Sequence, residues 1–181
     1  LVFITMLSFL ATFTSVSYIG PVITAISGIE GGGIGAVQMA TGIGSLLGLP
    51  VGAAFARLPI RKALSILLVL TALTQGMFSV GMLFAFDWLA IPLLVVSMAL
   101  GSATLFASLP VIQTKLVGAA GAAATIALAL NGSMLYFGQG LGAALGGIII
   151  ASFGLSWIGV GGILSALIAL VFVYNLSDRL N

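Results

Sequence analysis

Histidine and cysteine are both absent from the 181 residues of the chain. Without a thiol or an imidazole, the chain can form no disulfide, no thiolate nucleophile, no histidine-ligated haem and no Ser–His catalytic pair. These absences exclude a rhomboid-like six-span protease on chemistry alone. We therefore expect no enzymatic activity, no cofactor and no metal site.

Charged side chains are almost as scarce. Five Lys and Arg and three Asp and Glu make up 4% of the residues, and 61% of the residues are hydrophobic. A soluble domain carries about 25% charged residues, so this chain cannot cover itself with a water-facing surface, and lipid must be its solvent. The net charge of +2 rests on too few groups to form a basic face, and we expect no nucleic-acid partner.

Apolar runs long enough to cross a bilayer recur along the whole sequence. A span needs about 20 apolar residues, and six segments fit, near residues 3–27, 35–56, 63–84, 90–114, 121–151 and 156–176. The sequence thus predicts an all-α integral membrane protein, a single multi-pass bundle over residues 1–181. The chain opens on Leu1 with no initiator Met and no cleavable signal peptide, which is consistent with a fragment.

The basic residues predict which way up the bundle lies, because Lys and Arg between spans are retained in the cytoplasm. With six spans, the basic residues all fall on one side: Arg57, Arg61, Lys62, Lys115 and Arg179. Glu30 and Asp87 fall on the other side, and Asp178 stays with the basic residues. Both ends of the chain are then expected to be cytoplasmic.

Glycine recurs at four-residue spacing in two of the predicted spans. One triad, in the second span, is Gly44, Gly48 and Gly52, and the other, in the fifth span, is Gly138, Gly142 and Gly146. Such stripes let another helix approach closely, and they are common in packed membrane helices. Here each triad lies in the middle span of a group of three, which indicates an internal repeat with two copies, about 3–84 and 90–176. Because each copy has an odd number of spans, the second copy enters the membrane from the opposite side, as in many secondary transporters.

Three motifs carry a resemblance to a known family: Tyr18-Ile19-Gly20-Pro21 followed by Ile29, the segment from Gly52 through Arg57 to Arg61-Lys62, and the second glycine triad extended by Gly147. On these motifs the chain resembles the C-terminal six-helix half of a major facilitator superfamily transporter. It is most similar to the twelve-span bacterial efflux group, which includes drug:proton antiporters and sugar or nucleoside exporters. It departs from the pattern at Ala56, where the family has Asp, and at Pro59, where it has Gly.

The resemblance implies half of a secondary transporter in the bacterial inner membrane, which moves a small molecule by alternating access. The partner would be an N-terminal six-helix half, in the same full-length chain or supplied by a second copy. No Asp, Glu, Lys or Arg lies at mid-membrane depth in the six predicted spans, so a proton-coupling carboxylate would belong to that other half. A self-contained six-span channel or scaffold, acting as an oligomer, is the alternative.

Polar side chains inside the predicted spans are the candidates for substrate contact. Asn131 and Gln139 lie eight residues apart on one side of the fifth span, and further candidates are Tyr18, Gln38 and Tyr136. Such groups need a partner or a water-filled cavity in hydrocarbon. Helix–helix hydrogen bonding would satisfy them equally well. Gln75 is expected to be structural, because the resemblance places its span outside the cavity.

Overall fold

A computed structural model describes residues 1–83 and 89–176, and every regular element in those ranges is helical. The predicted all-α character is confirmed for them. Asp87, Asp178 and Arg179, which enter the predicted charge distribution, lie outside the described residues. The α-helices are α1 Val2–Val16, α2 Ile19–Ser27, α3 Gly32–Phe55, α4 Ile60–Leu83, α5 Ala90–Ala120, α6 Ala124–Phe153 and α7 Ile158–Tyr174.

Several of these helices are long and apolar enough to cross a membrane, as the composition predicted. Five described stretches meet that criterion: Val2–Ser27, Gly32–Phe55, Ile60–Leu83, Ala90–Phe153 and Leu155–Tyr174. The fourth stretch holds both α5 and α6, which are separated only by a short 3-10 turn at Gly121–Ala123. The count is five, against six predicted spans, because no polar segment divides these two helices.

The first stretch is interrupted between α1 and α2. Pro21 has no N–H to donate to the carbonyl of Ser17, so a continuous helix would lose a hydrogen bond at this point. The chain instead leaves the helix after Val16 and starts α2 at Ile19, which places Pro21 within the first turn, where it is tolerated. The kink that Pro21 predicted is therefore a full break in the helix.

Two clusters of buried apolar side chains show how the helices run. The Ile60 cluster includes Ile4, Leu7, Ile60, Leu64, Val111, Ile112 and Val173. The Ile158 cluster includes Ile19, Val22, Ile23, Phe78, Leu94, Met98 and Ile158. Consequently α4 runs from the first cluster to the second, and α5 and α7 run back. Arg57 and Lys62 adjoin the Ile60 cluster, and Lys115 lies one turn beyond it on α5, so these basic residues share one end of the bundle.

The helices pack in a reciprocal pattern. The main neighbour of α3 is α5, and the main neighbour of α6 is α1; α4 packs on α5 and α7, and α7 packs on α1 as well. The glycine triads lie in the two closest contacts. A Cβ added at Gly44, Gly48 or Gly52 would overlap the backbone of Ala99, Ala103 or Ala107 on α5. A Cβ added at Gly138, Gly142 or Gly146 would overlap the backbone of Met6, Leu10 or Thr14 on α1.

Candidate functional site

A half-open cleft of about 340 Å³ lies between the α1–α2 segment, α3 and α5. The glycine triad of α3 faces α5, and the adjacent face of α3 lines the cleft. That adjacent face carries side chains at helical spacing. The cleft is lined by Phe13, Val16, Ile19, Gln38, Thr41, Gly42, Ser45 and Phe106.

One wall of the cleft is aromatic. Phe9 is buried in α1 and stacks on Phe13, with ring centroids 6.0 Å apart and planes at 18°. Phe9 also meets Phe106 edge-on, at 6.5 Å and 62°. Such pairs add about 0.5–1.5 kcal/mol beyond the area they bury. The buried ring therefore holds both cleft-lining rings in place across α1 and α5.

The opposite wall is polar and belongs to α3. Ser45 Oγ donates a hydrogen bond of 2.8 Å to the carbonyl oxygen of Thr41. Thr41 Oγ1 is itself buried and has no hydrogen-bond partner among the described residues. A buried hydroxyl without a partner costs about 1–3 kcal/mol, so a ligand that reached Thr41 would recover part of that cost. Gln38 is exposed one turn away and offers an amide.

The lining decides what the cleft can hold. Of the described residues that line it, none is charged. An ion would gain no counter-charge here, whereas an amide, two hydroxyls and two aromatic rings suit a neutral ligand with a flat ring and hydrogen-bonding groups. The arrangement can bind and orient such a ligand. It contains no pair of groups that could transfer a proton or attack a bond.

Asn131 lies elsewhere, in the contact between α1 and α6. Its side chain is only 2% exposed, and its Oδ1 accepts a hydrogen bond of 2.7 Å from Thr5 Oγ1. This is the helix–helix hydrogen bond that the sequence left open as an alternative. The contact of Asn131 with a substrate stays a prediction.

The remaining sequence candidates are also outside the cleft. Tyr18 follows α1, and its hydroxyl donates to the carbonyl oxygen of Ala143 on α6, at 2.7 Å. Tyr136 is 72% exposed, and Gln139 is half-buried on the same helix. The structure therefore brings Gln38 alone of the five candidates to the cleft. Gln75 is buried, and its Oε1 accepts a hydrogen bond of 2.7 Å from Ser15 Oγ, a structural position of the kind expected for it.

Sequence reasoning missed Thr41, Ser45 and the two lining rings. A signal was present, since Gln38, Thr41 and Ser45 are spaced three and four residues apart and so share one face of α3. Phe13 and Phe106 carried no such signal. Their role depends on α1 and α5 becoming neighbours, and hydrophobic periodicity does not report which helices meet.

The predicted cytoplasmic loop motif lies between α3 and α4. Arg61 is half-buried, and its Nη2 donates to the carbonyl oxygen of Leu176 beyond α7. Arg57 and Lys62 are exposed. The loop is therefore joined to the end of the last helix, and it presents two cations at the Ile60 end of the bundle.

No protein-family model, curated protein or solved structure matches the chain. The resemblance to the major facilitator superfamily thus stays a prediction that rests on the three sequence motifs. Within residues 1–83 and 89–176 there is also no group of three or more acidic, histidine or cysteine side chains that could hold a metal ion.

Proposed function

We propose that the chain is one six-span half of a secondary active transporter, which moves a neutral small molecule across a bacterial inner membrane by alternating access. In the proposal the cleft beside α3 contributes to the substrate site, and drug-like aromatic compounds, sugars and nucleosides are the candidate substrates. A second six-helix half faces the cleft and completes it.

The observation that carries the proposal is the reciprocal packing of the two glycine triads. Gly44 and Gly138 are 94 residues apart, and their contacts, Ala99 and Met6, are 93 residues apart. The same offsets relate the other contacts of each triad. If the first three spans are exchanged with the last three, α1 corresponds to α5, α3 to α6 and α4 to α7. The α3–α5 contact then becomes the α6–α1 contact, and the α4–α5 contact becomes the α7–α1 contact. This exchange supports a repeat of three spans plus three.

The direction of the helices supports an inverted repeat. In the exchange α1 corresponds to α5. The former starts at the Ile60 cluster, and the latter starts at the Ile158 cluster. Equivalent helices thus run in opposite directions, as in transporters whose two repeats are related by an axis in the membrane plane. Such repeats provide the two alternative arrangements that alternating access requires.

The proposal counts α5 and α6 as separate spans. They contain 31 and 30 residues, and at 1.5 Å per residue each is roughly 45 Å long, against a hydrocarbon core of about 30 Å. Gly121 has a positive φ of 52° in the turn between them, a conformation that favours glycine. α5 ends beyond the Ile60 cluster, and α6 returns toward the Ile158 cluster through Ile150.

The exposed faces of α3 and α6 provide the place for a second half. In each helix the buried residues are confined to one stripe, the glycine triad, joined in α6 by Asn131. The opposite faces expose large apolar side chains, among them Leu46 and Leu47 on α3 and Ile126 and Phe137 on α6. Two helices with such exposed apolar faces are suited to pack against a matching pair from a partner half.

Reconstitution tests the proposal. The purified chain is placed in proteoliposomes alone, or together with an N-terminal six-helix half supplied as a separate polypeptide, and uptake of tritiated uridine and lactose is followed under an imposed pH or sodium gradient. We expect gradient-driven accumulation only when both halves are present. A Gln38→Leu variant of this chain should lower that uptake, with unchanged reconstitution efficiency.

Two results would contradict the half-transporter proposal. Gradient-driven uptake by the lone chain, abolished by collapsing the gradient, would make a symmetric dimer of this chain the working unit. Gradient-independent leak of both solutes through the lone chain would instead indicate a self-contained channel.

A further inference from the structure

An apolar groove runs along the bundle between α4 and α7. We call it the α4–α7 groove. Its volume is about 490 Å³, and each of its described lining residues is apolar. Small residues form its floor, Ala72 and Gly76 on α4 and Ala166 on α7, whereas Leu73 and Leu167 are exposed at its rims. Neither α3 nor α6 lines it, so it is separate from the faces at which a second half is proposed to pack.

The length of the groove suits one acyl chain. On α4 its lining extends from Leu68 to Val80, and twelve residue steps of about 1.5 Å make roughly 18 Å. The hydrocarbon of one leaflet is roughly 15 Å deep, half of a core of about 30 Å. Lipid tails are as apolar as these walls, so dispersion contacts alone hold a guest there. The groove therefore accepts an acyl chain but does not by itself favour one lipid over another.

Two side chains with polar ends continue the groove at the end of the bundle that holds the Ile60 cluster. Lys62 is exposed on α4, seven residues before the lining Val69, and so lies two turns along the same stripe. Tyr174 is 67% exposed on α7, four residues after the lining Leu170. Lysine and tyrosine at such positions are typical of the layer where lipid headgroups meet the hydrocarbon.

A hydroxyl group lies between this polar end and the apolar part of the groove. Ser65 is half-buried on α4, three residues before Leu68 and seven before Ala72, which both line the groove. Its hydroxyl has no hydrogen-bond partner among the described residues, whereas Thr71 on the same helix donates to the carbonyl of Leu67. A hydroxyl at this depth needs an acceptor, and the ester carbonyl of a lipid would provide one.

The order of these groups is the order of the groups in a phospholipid. The cation of Lys62 comes first, Ser65 lies roughly 4.5 Å deeper, and the apolar lining follows. A phospholipid presents its phosphate, then its ester carbonyls and then its chains. At the opposite end of the groove the described lining residues, among them Val80, Leu93 and Ile163, are apolar. Only one orientation of a lipid therefore matches the groove.

We propose that the α4–α7 groove binds one anionic phospholipid, with its phosphate at Lys62 and Tyr174, its ester at Ser65 and an acyl chain along the floor. Charge complementarity favours an anionic headgroup, because Arg57 is also exposed at this end of the bundle. A zwitterionic lipid carries a cation of its own, which would compete with Lys62 for the phosphate. The proposal does not rest on the transport function, because lipid binding needs neither a substrate nor a partner half.

Native mass spectrometry of the purified chain tests the proposal, with dioleoylphosphatidylglycerol or dioleoylphosphatidylcholine titrated in detergent. We expect one phosphatidylglycerol per chain, bound at least about fivefold more tightly than phosphatidylcholine. Lys62→Gln should weaken phosphatidylglycerol binding about fivefold, the effect of one basic side chain at an anionic lipid surface. Gly76→Leu should abolish binding, because its side chain fills the groove. An added Cβ at Gly76 meets only Ile163 Cδ1, at 3.8 Å, so this variant should fold.

Each variant has a matched control. Arg57→Gln removes a charge at the same end of the bundle, but Arg57 follows α3, whose main neighbour is α5. It should bind phosphatidylglycerol within about twofold of the parent. Gly140→Leu adds the same side chain in open space on α6, which does not line the groove, and should leave binding unchanged.

Four results would overturn the proposal. Equal affinity for the two lipids, or equal losses in Lys62→Gln and Arg57→Gln, would mean only a general attraction to the basic end. Unchanged binding in Gly76→Leu would place the lipid elsewhere. Displacement by sn-glycerol 3-phosphate would indicate a phosphate site without an acyl chain. A dimer that Gly76→Leu dissociates would make a second copy the occupant. If Gly76→Leu fails to fold, the comparison of Lys62→Gln with Arg57→Gln decides.

Discussion

Buried hydroxyl groups in this chain differ in their hydrogen-bond partners, and we infer different roles for them from those partners. Most donate to a carbonyl one turn back on their own helix, as Ser8, Ser102 and Ser165 do. Such groups are satisfied wherever the helix lies. Thr5 instead joins two helices, and Thr41 has no partner within the described residues. A hydroxyl that crosses between helices stabilises packing, and a buried hydroxyl without a partner is available to a ligand.

Replacing Thr41 by Val should therefore leave the stability of the chain unchanged or raise it by up to about 1–3 kcal/mol, because the variant loses no hydrogen bond and removes an unpaired hydroxyl. The same change should lower uptake in the reconstituted two-half carrier. Thermal unfolding in detergent and uptake of tritiated uridine measure the two effects.

The control for Thr41→Val is Thr71→Val. Thr71 Oγ1 is buried, donates to the carbonyl of Leu67, and lies 3.1 Å from Thr104 Oγ1. Its loss should destabilise the chain by about 0.5–1.5 kcal/mol. A drop in stability for Thr41→Val as large as for Thr71→Val would show that Thr41 has a structural partner.

The Thr5–Asn131 pair can be tested by a double-mutant cycle. Thr5→Val leaves the buried Oδ1 of Asn131 without a donor and should cost about 1–3 kcal/mol, whereas replacing both residues, with Asn131→Leu, should restore much of that loss. Melting temperatures of the parent, the single and the double variants measure the coupling. If the double variant is stable but inactive in the two-half carrier, Asn131 also contacts substrate. Additive losses of stability would show that Thr5 and Asn131 do not stabilise the α1–α6 contact as a pair.

The helices of the bundle are of two kinds. α1, α4, α5 and α7 bury Ser, Thr and large apolar side chains between several neighbours. α3 and α6 bury little besides their glycine triads, and each has one main neighbour. The attachment of α3 and α6 thus depends on close backbone contact and dispersion over a narrow stripe. A side chain in the stripe would remove that contact, whereas one beside it would not.

Gly48→Ala should accordingly lower the stability of the chain, whereas Gly42→Ala should raise it. At Gly48 an added Cβ meets the backbone of Ala103, which cannot rotate away, and overpacking of this kind costs about 1–3 kcal/mol. At Gly42 an added Cβ meets nothing within 4 Å, and alanine there should stabilise the helix by about 0.5–1 kcal/mol. Both positions are on α3, so thermal unfolding compares them directly.

The second triad gives an independent repetition of this comparison. Gly142 faces the backbone of α1, and Gly140, on the same helix, has open space around it. The penalty for Gly142→Ala over Gly140→Ala should resemble the penalty for Gly48→Ala over Gly42→Ala. Equal melting temperatures within both pairs would contradict the close-packing role of the triads.

For the whole molecule, periodicity and composition predicted most of the helices and left the neighbours open. Apolar runs located the helices, glycine spacing located the positions of closest approach, and Pro21 located the break after α1. The sequence did not report that α3 packs on α5 or that α1 packs on α6, because these partners are distant along the chain. Phe13 and Thr41 therefore became recognisable as one site only in three dimensions, whereas Gln38 was noticed for its polarity alone.

The orientation of the bundle is a prediction that single-cysteine labelling can test, since the chain has no cysteine of its own. Pro59 and Gly32 are both exposed, at opposite ends of α3, whereas the neighbouring Ile60 is fully buried and would not react. An impermeant maleimide should label Gly32→Cys in intact cells and Pro59→Cys only after the cells are opened. Labelling of Pro59→Cys from outside would reverse the orientation.

The reciprocal packing of the triads also determines the order in which the chain can assemble during synthesis. When α3 enters the membrane, its partner α5 has not yet been made. The partner of α1, which is α6, is made later still. The early helices must therefore remain in lipid, or be held by the insertion machinery, until the second half of the chain emerges. The contacts that close the bundle join residues more than 50 and more than 120 positions apart, such as Gly44 with Ala99 and Gly138 with Met6. If a ribosome stalls between α4 and α5, neither of the two glycine-triad contacts can form. Such a product should be a substrate for membrane proteases.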